Sequence, residues 1–262
     1  MSKAPRKRRG TVLDATIFAL AGLAILMGLG VWQLDRKAWK DNLIATLNAR
    51  LARPPEELPP RAGWSRLREE GEEFRRVIFP AEFLDGEEAL VYTAGSPLRP
   101  DVKGPGYWVF APARLPGGSI VLVNRGFVPD DRKDPATRVE GVPHGIIDVV
   151  GVMRWPEARG AVTPADDPKK NVWYLRDVKS IADAKKWPTA APFYIDQEEP
   201  APSGGWPKPG KLEVRLPDNH LGYALTWFGL AFALAGVYIA WLAKRVFGAA
   251  RNSALITDAD GA

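Results

Sequence analysis

The chain has 262 residues, enough for one or two domains with a buried core. Its 36 Lys and Arg exceed its 31 Asp and Glu by only +5. The surplus lies at the two ends, because residues 35–220 hold 28 of each sign, which excludes a basic nucleic-acid-binding face.

Residues 1–11 form a basic N-terminus with Lys3, Arg6, Lys7, Arg8 and Arg9. Residues 12–34 read as a transmembrane helix, since Ala15 to Leu34 is a run of twenty residues without a charge. At about 1.5 Å per residue such a run crosses a hydrocarbon core of about 30 Å. It is too long for a signal-peptide core and ends in WQLDRK with no small-x-small cleavage site, so it reads as an uncleaved anchor. Residues 35–52 place Trp39, Leu43, Leu47 and Leu51 at helical spacing and read as an amphipathic extension that stops at Pro54-Pro55. Residues 54–73, rich in Pro, Arg and Glu, read as a linker or loop.

The stretch 35–220 holds 23 of the 24 prolines and is not mainly helical. Strand-like runs follow at 74–79, 89–93, 107–111, 119–124, 146–153 and 172–176, with further candidates at 193–196 and 212–216. LPGG between two runs predicts a hairpin turn, and DVKSIADAKK predicts a short helix over 177–186 capped by Asp177. The expected fold is therefore a β-rich α+β domain, an antiparallel sheet or small barrel, between two transmembrane helices. The second membrane helix is residues 221–243, twenty-three residues without a charge. Residues 244–262 form a tail carrying Lys244, Arg245 and Arg251, expected to be disordered after Arg251. Basic residues flank both spans on the terminal side, so both termini are expected in the cytoplasm and the middle domain outside it. The complete lack of cysteine fits an oxidising compartment, and a bacterial inner membrane with a periplasmic domain is the simplest address.

The chemistry available is narrow. Without cysteine there is no disulfide, thiolate metal site, c-type haem attachment or Cys nucleophile. Two histidines, His144 and His220, cannot build a multi-His metal centre in one chain. There is no G-x-S-x-G, P-loop or dinucleotide fingerprint. His144, in VPHGI, reads as a solvated loop residue. The acid pairs Asp166-Asp167 and Glu198-Glu199 read as solvated turn residues. The informative region is the outer membrane interface, where the first helix ends and the second begins. Gly30, Trp32, Gln33, Arg36 and Lys40 lie on the first side; Asp218, Asn219, His220, Tyr223, Thr226 and Trp227 lie on the second. An imidazole beside large aromatic surfaces and cations can ligate haem iron and pair with propionates. Interfacial Trp, Tyr, Lys and Arg also gather at membrane boundaries with no ligand at all.

GVWQLDRKAWK, VLVNRGFVP, VVGVMRWPE, NVWYLRDV, APFYID and DNHLGYALTWFGLAFAL occur in that order from about Gly30 to Tyr238. This series resembles the surfeit-locus family of cytochrome c oxidase assembly proteins, bacterial branch. The resemblance implies a non-enzymic chaperone of respiratory-chain biogenesis that receives haem a and aids its insertion into the catalytic subunit of cytochrome c oxidase. Haem a synthase and membrane lipid are the further partners implied. The family's histidine at the start of the second membrane helix falls on His220, a candidate axial ligand to haem iron. Trp32, Gln33 and Arg36 match the first-helix motif, Tyr223 and Trp227 the second, and Arg125 and Gly126 the central one. Pro80 departs from the family, which commonly has glycine after that strand. With no Cys, and methionines only at 1, 27 and 153, delivery of copper through soft ligands is disfavoured. The competing expectations are a membrane scaffold that binds no haem and, with little support, an exported hydrolase.

Overall fold

The computed structural model describes residues 7–141, 143–214 and 218–259. In chain order its elements are α1 (Lys7–Leu51), β1 (Glu56–Glu57), α2 (Glu69–Glu72), β2 (Arg76–Phe83), β3 (Ala89–Gly95) and β4 (Lys103–Arg114). They continue with β5 (Ile120–Pro129), β6 (Ile146–Arg154), β7 (Val172–Trp173), α3 (Val178–Lys185), β8 (Thr189–Glu199) and α4 (His220–Ala259). The chain divides into a helical unit, residues 1–43 and 217–262, and a sheet unit, residues 44–216.

In the helical unit, α1 and α4 each contain a stretch long and apolar enough to cross a membrane, Val12–Leu51 and His220–Val246. The two pack through small residues, because a missing side chain lets apolar helices approach closely. Ala19, Ala224 and Ala231 are buried in the seam. A Cβ on Gly30 would stand 2.4 Å from the Phe228 ring, and one on Gly22 would stand 3.0 Å from Leu234. The Thr16 and Tyr238 hydroxyls share a hydrogen bond of 2.7 Å. Gly30→Ala is expected to lower the fluorescence-detected melting midpoint of the detergent-solubilised protein. Gly28→Ala, where a Cβ meets nothing within 4 Å, is expected to leave it unchanged. The tail corrects the expected disorder after Arg251: α4 runs to Ala259, so the chain is helical to that point. The segment ARNSALITDA has no proline or glycine to stop a helix already nucleated upstream.

In the sheet unit the strand order is β1-β2-β6-β8-β5-β4-β3-β7. The pairs β1–β2, β5–β8 and β3–β7 are parallel and the remainder antiparallel. The sheet is therefore mixed, not purely antiparallel. β2 also meets β4 at Glu82↔Arg114 and Phe83↔Ala113, a contact of two residue pairs that curls the sheet without closing a barrel. Strand composition carries no direction; the parallel partner of β5 arrives through a long crossover that includes α3.

β2 alternates between buried and accessible positions, as a strand with one wet face does. β5 is buried almost throughout, because Val121 and Val123 feed one apolar cluster while Leu122 feeds another. The first cluster centres on Trp64, Phe79, Phe193 and Ile195; the second takes Trp108, Phe110, Trp173 and the inner face of α3. Trp64 is 2 % exposed, donates from Nε1 to the Pro59 carbonyl at 2.7 Å, and meets Phe193 edge-on. Residues 54–73 are thus a packed cover containing β1, a 3-10 turn and α2, where a linker or loop was expected. The last turns of α1 carry the amphipathic face as expected, with Leu47 and Leu51 packed against Phe74, Val152 and Leu212.

Other boundaries shift. β2 extends past Phe79 through Pro80 to Phe83. Opposite β6, β1 covers only Val77 and Ile78, so the missing amide of Pro80 leaves no ladder partner short on that side. β7 is only Val172–Trp173, residues 211–214 are irregular, and 215–216 lie outside the described residues. The LPGG turn forms as expected, with the Gly118 amide donating to Leu115 at 2.8 Å and φ +77° at Gly118. The predicted helix α3 forms, and the Asp177 carboxylate accepts from the Lys179 and Ser180 amides. Asp177→Ala is expected to cost about 1 kcal/mol in urea unfolding.

The VNRGFVP segment lies in β5 and contains a bulge. Trp108 pairs with Phe127 and Phe110 with Asn124, so Arg125 and Gly126 together face Val109. The Asn124 side chain holds the bulge: Oδ1 accepts from the Gly126 amide at 3.1 Å, and Nδ2 donates to Asp196 at 2.7 Å. Asp196 also accepts from Arg154 at 3.2 Å.

Candidate functional site

The candidate site lies within the helical unit, where α4 begins beside α1. Asp218 stands two residues before His220 and accepts from its backbone amide at 2.9 Å, satisfying one of the free N–H groups of the first turn. That hydrogen bond, assisted by the Lys37 ammonium and opposed by partial desolvation, holds the Asp218 carboxyl below the usual carboxylate range. Lys37 Nζ lies 3.5 Å from Asp218 and 2.8 Å from Asp41.

Gly30, Gln33 and Lys37 fall three and four residues apart on α1 and share one face. Gln33 Oε1 lies 2.7 Å from His220 Nδ1. With the amide oxygen as acceptor, Nδ1 of the neutral ring carries the proton and Nε2 keeps its lone pair. The arrangement presents one oriented imidazole nitrogen, steadied from behind, at the start of a long apolar helix.

Of the six residues expected in the site, the structure joins Gln33 and His220 by a hydrogen bond. Trp227 is half-buried. Trp32 and Tyr223 leave 56 % and 57 % of their surface exposed. The Arg36 guanidinium lies 4.0 Å over the Trp39 ring, a cation–π contact on its own helix. Sequence reasoning missed the Lys37–Asp218 pair and the packing of Phe228 on Gly30. The D-N-H order, a capping acid two residues before the histidine, was the available signal for the first.

The remaining candidates lie in the sheet unit. His144 is exposed in its loop, as expected. Asp166 pairs with Arg159 and accepts from the Tyr174 amide at 2.8 Å, and Asp167 caps the turn at Lys170. Glu198 corrects the expectation of a solvated pair. It lies in β8, 6 % exposed, in an ion pair of 2.7 Å with Arg76.

Residues 20–232 match the SURF1 family. Surfeit locus protein 1 of Homo sapiens is 33 % identical over 217 residues, covering 79 % of this chain and 70 % of that protein. The Mus musculus protein of the same name is 32 % identical over 238 residues, covering 87 % and 76 %. A SURF1-like protein of Monosiga brevicollis is 33 % identical over 223 residues, covering 82 % of each chain. The matched span includes Gln33, His220, Tyr223 and Trp227.

Proposed function

The chain belongs to the SURF1 family, and from that premise we propose that it is an assembly factor, not an enzyme, for a haem–copper terminal oxidase. It receives haem a through His220 at the outer face of a bacterial inner membrane, with both termini cytoplasmic and the sheet unit periplasmic. Its partners are haem a synthase as donor and the catalytic subunit of cytochrome c oxidase as acceptor.

The observation that carries this reading is the His220–Gln33 hydrogen bond of 2.7 Å. An acceptor placed behind a ligating imidazole orients the ring and raises its basicity. The residues present fit a haem: a nitrogen donor with a free lone pair, exposed rings at Trp32 and Tyr223, and apolar helix surface for a lipophilic tail. When bound, haem a would supply an iron that the His220 nitrogen would hold and propionates that would pair with cations. Gln33 holds the imidazole in one tautomer, Asp218 and Lys37 hold the helix start in place, and the aromatic rings exclude water. One histidine supplies one protein ligand, and a single ligand suits a carrier that must release its cargo.

The test is made in cells that lack this chain. Their oxidase catalytic subunit is expected to carry less haem a per polypeptide, and the wild-type gene is expected to restore it where His220→Ala does not. Full restoration by His220→Ala would remove haem handling from the account and leave a scaffold that holds the subunits together.

A further inference from the structure

The sheet unit holds a second site, unrelated to His220. A cavity of about 290 Å³ is lined by Arg125, Glu140, Pro143, His144, Gln197 and the 200–203 loop. Arg125 reaches it because of the β5 bulge, which re-aims a side chain. In the parallel β5–β8 pair Asn124 stands opposite Asp196, so Arg125 and Gln197 are the next positions along two neighbouring strands.

Both side chains are more than nine-tenths buried, at 7 % and 5 % exposure. Arg125 donates from Nη2 to the Gly141 carbonyl and lies 4.9 Å over the Phe83 ring. Among the described residues its Nε finds no hydrogen-bond partner and no carboxylate forms an ion pair with it. Gln197 Nε2 is committed to the Pro200 carbonyl at 2.8 Å, which fixes the amide, yet its Oε1 has no partner among the described residues.

A buried guanidinium without a counter-ion is costly, and a buried unpaired acceptor adds to the cost. Burial pulls the Arg125 guanidinium down to about 10; Glu88 opposes this and the Arg138 cation adds to it. Glu88 is already taken by Arg138, so this neighbourhood holds two guanidinium groups and one partly buried carboxylate. Glu140, on the cavity lining, is exposed to solvent and screened.

We propose that this cavity binds a carboxylate that carries an N–H donor beside it, the chemistry of a peptide chain end or an N-acylated amino acid. The carboxylate neutralises Arg125 in a charge-assisted pair, and the adjacent N–H donates to Gln197 Oε1. At about 290 Å³ the cavity takes one residue's end and no macrocycle.

The test uses the full chain in detergent, with N-acetylglycine, N-acetylglycinamide and acetate as probes in calorimetric titration. N-acetylglycine is expected to bind at least about tenfold tighter than its amide, the worth of one charge-assisted contact. Acetate is expected to bind more weakly than N-acetylglycine. Arg125→Gln is expected to abolish the preference for the acid. Ala201→Trp, a change at an exposed position on the rim, keeps the fold if Arg125→Gln does not, and is expected to block binding by filling the cavity. A six-residue peptide with a free C-terminus that outbinds N-acetylglycine would identify a protein chain end; equal binding would identify a small free acid. Equal or absent binding of acid and amide by the wild type, or unchanged binding by Ala201→Trp, would overturn the site. Acetate matching N-acetylglycine would overturn the role given to Gln197.

Discussion

Gly126→Ala is expected to destabilise the sheet unit by about 4 kcal/mol, the sum of a strained backbone and an overpacked contact. Gly126 has φ +125°, a conformation L side chains rarely adopt. A Cβ there would stand 2.3 Å from the carbonyl carbon and oxygen of Lys208 and 2.5 Å from the nitrogen of Pro209. These are backbone atoms that cannot swing aside. The strand is tied to them by the Phe127 amide donating to Lys208 at 3.0 Å and the Lys208 amide donating back at 2.8 Å. A domain whose stability is about 5–15 kcal/mol loses a large share of it. Urea unfolding followed by near-ultraviolet circular dichroism checks this, with Gly117→Ala as the control. Gly117 has an ordinary φ, and a Cβ there meets nothing within 4 Å. A loss below about 1 kcal/mol at Gly126 would show that the 206–210 segment does not bear on the bulge.

Gln33→Leu is expected to weaken haem a retention about 10- to 100-fold, the usual cost of removing the acceptor behind a ligating histidine. Leucine fills similar space, so the helix pair keeps its melting midpoint while the imidazole loses its fixed tautomer. Gln33→Glu retains an acceptor at the same place and is expected to restore retention. That rescue separates positioning from mere packing: a structural role would move the melting midpoint and would not discriminate Glu from Leu. Retention is read from the visible absorbance per protein after size-exclusion chromatography. Equal retention by wild type and Gln33→Leu would detach Gln33 from the site.

The two apolar runs were legible because soluble helices of membrane length nearly always carry a charged or polar stripe and these runs carry none, and the helices fall on both. α3 was legible from its capping aspartate and the hairpin from LPGG, both local signals. The mixed sheet was not, because strand direction depends on which distant segment crosses over. Trp64 shows the same limit, since a lone indole in a polar segment does not announce the Phe193 ring it packs against. At the site, Gln33 and His220 could be placed at one interface from helix direction alone, but their pairing depends on helix rotation. Arg36 is a similar case. The sequence set it at the end of the first helix, and the structure adds that its guanidinium lies over the Trp39 ring one turn on, a contact that depends on side-chain conformation. As a sequence the NRGFVP motif read only as a strand end followed by a turn, whereas β5 runs on through it to Pro129 and its glycine is required by Lys208, about eighty residues later.

The most direct measurement is the visible absorption spectrum of the detergent-purified chain, made in cells with active haem a synthesis, beside its His220→Ala variant. A haem a spectrum is expected in the wild type, and the variant is expected to lack it while keeping its melting midpoint. A colourless wild type under verified haem a supply, or a variant that keeps the full spectrum, would contradict haem binding through His220.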